Sequence, residues 1–140
     1  MNLKIKNSLL KAFAEFLMTF ELKGKESRLR TRFVKLLDAQ LKQINDETQL
    51  LAKDYCHLDD EGSPKLIEVD GHQLWDIRDH EEWAKAINEL FAEELHISGE
   101  DKKEMLTAVK EIVLNSEDTY NGQAAFDYDI WCELVESIEE

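Results

Sequence analysis

Residues 25–58, KESRLRTRFVKLLDAQLKQINDETQLLAKDYCHL, contain neither Gly nor Pro. Within them Val34, Leu37, Leu41, Ile44, Thr48, Leu51, Tyr55 and Leu58 recur at alternating three- and four-residue steps. That is the heptad rhythm of a single long helix with one apolar seam. Leu29, Phe33 and Leu36 widen the apolar face over the first turns. About 30 helical residues span roughly 45 Å, longer than a domain of this size is wide. Such a helix either carries other helices along its flank or offers part of its seam to a partner, a second copy included. Thr48 at a seam position weakens a strict coiled-coil reading.

Upstream, residues 2–6 alternate, with Leu3 and Ile5 on one side and Lys4 and Lys6 on the other, which predicts a short strand. Asn7 or Ser8 can cap a helix in which Leu9, Leu10, Phe13, Phe16, Leu17 and Phe20 form an apolar face, ending before Gly24. Downstream, Asp59-Asp-Glu-Gly-Ser-Pro64 reads as a loop. It begins like a calcium loop but lacks that motif's spaced ligands and closing Glu, so it is read as a turn. Lys65–Val69, Asp70-Gly71 and His72–Ile77 predict a β-hairpin, because Asp-Gly is the preferred pair where both central residues need positive φ. That turn sets Val69 opposite His72, Ile67 opposite Leu74 and Leu66 opposite Trp75. Both faces then carry apolar surface, and the strand at Leu3–Ile5 is expected to add to a hairpin edge.

Three more helices follow. Asp79 caps the first, with Trp83, Ile87, Leu90, Phe91 and Leu95 as its stripe. His96-Ile97-Ser98 reads as a short extended piece. Gly99 and the acidic pair Glu100-Asp101 precede the next helix, with Met105, Leu106, Val109, Ile112 and Val113 inward. The last runs from about Gln123 to Glu139, with Phe126, Ile130, Trp131, Leu134, Val135 and Ile138 inward. The expected fold is mainly α (α+β): about five helices including one long one, with a small β-hairpin or three-stranded sheet, as a single domain over residues 1–140.

Composition narrows the function. The 140 residues are 43% hydrophobic and carry a formal net charge of −14, enough apolar content for a core. The charge is uneven. Residues 1–53 hold 11 Lys/Arg against 6 Asp/Glu, and residues 54–140 hold 6 against 25. Lys25, Arg28, Arg32 and Lys35 fall at helical spacings on one flank of the long helix, with Lys23 and Arg30 nearby. They are the candidate partner-binding residues. Either they meet an acidic partner or nucleic acid, or they border acidic helices of their own chain. Nucleic acid is disfavoured by the anionic remainder and by the lack of aromatic–basic interleaving or a glycine-rich phosphate loop. The acidic residues Glu117, Asp118, Asp127, Asp129, Glu133, Glu136, Glu139 and Glu140 invite a second idea, mimicry of DNA. Their plainer reading is a solvated surface that keeps the chain soluble.

No catalytic constellation is recognisable. His57, His72, His80 and His96 make no His-x3-His pair, and Cys56 and Cys132 make no Cys-x2-Cys pair, so zinc has no cage. Cys56 and His57 are neighbours, but on a helix neighbours point about 100° apart. Asp76, Asp79 and Glu82 read as capping and solvated charge, and Glu133-x-x-Glu136 lacks the companion carboxylate pair of a metal-dependent pyrophosphatase. Neither a Walker loop, a nucleophile elbow nor a dinucleotide fingerprint occurs. Both cysteines read as buried free thiols. Lys11 and Glu15 interrupt the first apolar stretch, so it is neither a signal-peptide core nor a membrane span. The expectation is a cytoplasmic non-enzyme without cofactor, metal or small-molecule substrate.

Three stretches carry a family resemblance: Leu22-Lys-Gly-Lys-Glu-Ser-Arg-Leu-Arg-Thr-Arg-Phe-Val-Lys-Leu-Leu37, the Glu93-Glu94…Ile97 segment leading into Met105-Leu-Thr-Ala-Val-Lys110, and Ala125-Phe-Asp-Tyr-Asp-Ile-Trp-Cys-Glu133. They are similar to a family of small proteins encoded in phages and prophages of Gram-positive bacteria. The resemblance implies a phage context and brings no catalytic residue. Together these readings point to a protein that works through protein contacts, as an assembly or accessory factor, with a homodimer through the long helix as one version. The alternative is a nucleic-acid-related role, by direct binding through the basic flank or by acidic mimicry.

Overall fold

The computed structural model describes residues 1–139. Five α-helices and four strands follow in the order β1 (Asn2–Lys6), α1 (Leu10–Leu17), α2 (Gly24–Tyr55), β2 (Leu66–Val69), β3 (His72–Trp75), α3 (His80–Ala92), β4 (Glu94–Ser98), α4 (Lys103–Leu114) and α5 (Gln123–Glu136). Short 3-10 turns precede α1 and α4. The fold is α+β, with α2 running 32 residues. The chain forms two compact units: Met1–Leu41 with the segment from Glu94 onward, and Lys42–Glu93.

In the first unit, β1 shows the alternation its sequence predicts. Leu3 and Ile5 are buried and Lys4 and Lys6 exposed. Its partner is not the hairpin. β1 pairs antiparallel with β4, placing Leu3 opposite Ile97 and Ile5 opposite Leu95. These are the apolar positions of two short alternating strands, and pairing them puts one apolar face on the core. Among the described residues the hairpin strands pair only with each other.

The core of this unit is aromatic. The Phe13 ring meets Phe33 edge-on at 5.9 Å and Trp131 at 5.0 Å, which ties α1, α2 and α5 together. Helix α1 is shorter than expected and stops at Leu17. Arg30 explains the ending: its guanidinium, buried, donates Nη1–H to the Leu17 carbonyl at 2.8 Å and to the Phe20 carbonyl at 2.9 Å. A cation here also suits the negative end of the helix dipole.

On α5 only part of the expected inner face is inward. Trp131 and Val135 are buried, as is Ile138 just past the helix end at Glu136, whereas Phe126 is 72% exposed and Ile130 is exposed as well. Apolar residues occupy two sides of this helix, and periodicity alone does not say which side faces the core. Tyr128 secures the buried side by donating Oη–H to the Val113 carbonyl of α4 at 2.7 Å, while its ring stacks on Tyr120 at 4.2 Å. Burial, then the neighbouring Cys132, pushes the Tyr128 phenol up to about 12. The folded value lies above the unfolded one near 10, so this stabilisation is complete below about pH 10 and lost as pH rises through about 12. Urea midpoints measured across that window should fall for the wild type and fall less steeply for Tyr128→Phe. At neutral pH that variant should be destabilised by about 1 kcal/mol through the lost hydrogen bond.

In the second unit the hairpin has the register predicted from its turn: Leu66 opposite Trp75, Ile67 opposite Leu74 and Val69 opposite His72. Asp70 and Gly71 both hold positive φ, 51° and 81°, as a two-residue hairpin turn of the primed type requires. Asp59 Oδ1 accepts from the Glu61 and Ser63 amides, so the loop is a side-chain-stabilised turn. Asp79 caps α3 by accepting from the Glu81 and Glu82 amides. Thr48, the polar residue in the α2 seam, returns its hydroxyl to the Ile44 carbonyl at 2.8 Å. Its polarity is thereby satisfied within its own helix.

Candidate interaction surface

The basic flank sits on the first half of α2, where Lys25, Arg28, Arg32 and Lys35 are all exposed. Lys25 forms an ion pair with Glu104 of α4. That contact, as hydrogen bond and as charge, holds the Glu104 carboxyl below the usual carboxylate range, with Arg32 and Arg28 adding to the effect. Arg32 and Lys35 also line a groove of about 330 Å³ together with Asp101 and Glu104. The four predicted residues are therefore brought together along a mixed-charge border between α2 and the start of α4. Exposed pairs of this kind contribute little to stability. Arg30 belongs to a different surface altogether, since it is buried against the end of α1. Its spacing to Phe33 and Leu37 puts it on the apolar side of α2, a signal present in the sequence.

A cleft of about 660 Å³ in the first unit opens between the end of α1 and the end of α4. Glu21, Glu26, Glu111, Glu117 and Asp118 line it with Phe20, Leu22 and Ile112, and no imidazole, thiol or amine does. Among the described residues no group of three or more His, Cys, Asp or Glu is placed to hold a metal ion. Cys56 is buried, and burial followed by the Asp76 charge raises its thiol above the usual range, while the adjacent His57 is exposed. Cys132 is only half-buried. The two thiols are free. Among the described residues no helix is long and apolar enough to cross a membrane.

The feature that stands out lies in the second unit. Leu66, Ile67, Val69 and Leu74 of the hairpin are all between 40% and 50% exposed, and Leu58 beside them is 50% exposed. Residues paired across a hairpin share a face. Leu66 and Trp75 share one, and Trp75 packs edge-on against Trp83 of α3 at 5.6 Å, with Tyr55 of α2 also against Trp83 at 6.2 Å. This aromatic group anchors the hairpin. Ile67, Val69 and Leu74 share the opposite face with His72, and no residue of either strand is fully buried. The sequence shows that both faces carry apolar side chains; that the outer one stays uncovered is visible only in the structure.

A hairpin normally commits its apolar face to a core, because two strands alone are marginal in water. Here the aromatic anchor supplies the support, and three aliphatic side chains on the other face stay 40–50% exposed beside strand edges that have no neighbouring strand among the described residues. Exposed apolar groups next to unpaired edges are what strand-adding partners use. No protein-family model, curated protein or solved structure matches the chain.

Proposed function

We propose that the protein is a non-enzymatic interaction factor that binds another protein through the outer face of the β2–β3 hairpin. The observation that carries this reading is the uncovered set Ile67, Val69 and Leu74 on a strand pair anchored from its other side by Trp75 and Trp83. Contiguous exposed aliphatic groups on a small acidic protein are costly for solubility and are characteristic of binding surfaces. The resemblance to small phage and prophage proteins supports an assembly or accessory role in a phage cycle. The cytoplasm suits such a role and suits two free thiols.

Two other routes have less behind them. Nucleic-acid binding through the basic flank would compete with the Lys25–Glu104 pair and the surrounding carboxylates. Dimerisation along the α2 seam would have to do without Val34, Leu37 and Ile44, which are buried.

The test is affinity capture of the tagged full-length chain from phage-infected or induced cells, run beside the double variant Ile67→Thr/Leu74→Thr. Threonine keeps the β-branched shape that strands favour while removing apolar surface. A partner retained by the wild type and lost by the variant is the expected result. Recovery of the same proteins with both would contradict the reading.

A further inference from the structure

We propose that the groove between the second half of α2 and α3 docks a basic amphipathic helix of a partner protein. This deepens the interaction reading by naming the partner's chemistry at a second surface of the same unit, and it rests on that reading only in requiring a protein partner. The groove measures about 380 Å³, within the size range of sites that take several apolar side chains. Its floor is Leu51, Tyr55 and Leu90, and Leu50 stands at its edge 62% exposed. Its rim is Glu47 and Asp54 from α2 with Glu89 from α3 and Glu93 just past the end of that helix, and no Lys or Arg lines it.

The pattern is matched on both walls. On α2 the carboxylates are seven residues apart, about 10 Å along the axis, with leucines between them; on the other wall Glu89 of α3 and Glu93 just past its end are four apart. An apolar floor between two rows of carboxylates is complementary to a helix with aliphatic residues at i, i+3, i+4 and i+7 and Lys or Arg on both flanks. Charge selects among occupants. The unit Lys42–Glu93 has 14 Asp/Glu against 5 Lys/Arg, so a second copy of this unit, a nucleic acid and an anionic membrane are all repelled. A small cation would leave the leucines uncovered.

The probe is a synthetic, fluorescein-labelled Leu/Lys peptide with that spacing, titrated against the full chain by anisotropy. Controls are a scrambled peptide of the same composition and a Leu/Glu counterpart. Binding is expected for the patterned peptide, weaker by about tenfold for the scrambled one and absent for the acidic one. Glu89→Lys/Glu93→Lys should weaken binding about tenfold or more, whereas Glu117→Lys/Asp118→Lys, the same charge change on the other unit, should alter it less than about twofold. Leu50→Ser should weaken it several-fold with no change in charge. The proposal is overturned if no peptide binds, if the scrambled peptide binds equally well, or if the two charge reversals act alike, which would mark diffuse attraction. It is also overturned if Ile67→Thr/Leu74→Thr abolishes peptide binding, since the peptide would then occupy the hairpin. Loss of the hairpin-dependent partner in the capture experiment leaves these peptide results unchanged, so either reading can fail alone.

Discussion

Phe13→Ala is expected to lower the stability of the chain by about 3–5 kcal/mol, the usual cost of emptying a fully buried aromatic site. Phe13 has no solvent exposure and its ring is held by Phe33 from α2 and Trp131 from α5. Truncation removes the transfer free energy of the ring and leaves a cavity where three helices meet. Their side chains cannot all collapse into it, because each helix is also fixed elsewhere, α5 through the Tyr128 hydrogen bond and α1 through Arg30. Phe13→Leu keeps most of the volume and should cost under about 1.5 kcal/mol. Urea unfolding followed by circular dichroism measures both. A loss below about 1 kcal/mol for the Ala variant would show that the aromatic cluster is not the centre of this unit's core.

Arg30→Met comes second in expected effect. Methionine retains the apolar stem and removes the guanidinium, which leaves the Leu17 and Phe20 carbonyls without their donor. Hydrogen bonds from a charged group are worth about 1.5–3 kcal/mol each. The gain from no longer burying a charge offsets part of that, and so does removal of the guanidinium Nε, which is buried without a partner. A net loss of about 2 kcal/mol follows. Arg28→Met and Arg32→Met, on the exposed flank, should change stability by less than about 0.5 kcal/mol. Equal effects at all three positions in the same denaturation assay would contradict the distinction between one structural arginine and its exposed neighbours.

The contrast among these arginines shows what could be read from the sequence and why. Local rules carried far. Asp70-Gly71 set the hairpin register because few residue pairs accept two positive φ values, and the uninterrupted seam from Val34 to Tyr55 announced α2. Non-local pairings did not show. β1 and β4 are joined by five ladder positions across about ninety residues, and a strand as short as Glu94–Ser98 carries no mark of its partner. Two-sided helices were equally opaque: Phe126 and Ile130 are as apolar as Trp131, and only packing decides that they face out. The basic flank was legible as a stripe, but its pairing with Glu104 depends on where α4 lies. The exposed hairpin face and the acidic-rimmed groove needed coordinates, because sequence shows which side chains are apolar and not which remain uncovered.

In the proposed function, Ile67, Val69 and Leu74 are surplus to the folding of the chain itself and are kept for a partner. Thermal unfolding of Ile67→Thr/Leu74→Thr, with no partner present, tests it most directly. If the face is free surface, the variant should lose no more than about 1 kcal/mol, the sum expected for two exposed positions, and its Tm should stay within a few degrees of the wild type. A loss of several kcal/mol would mean that those side chains already serve a core, and the binding surface would have to be sought elsewhere.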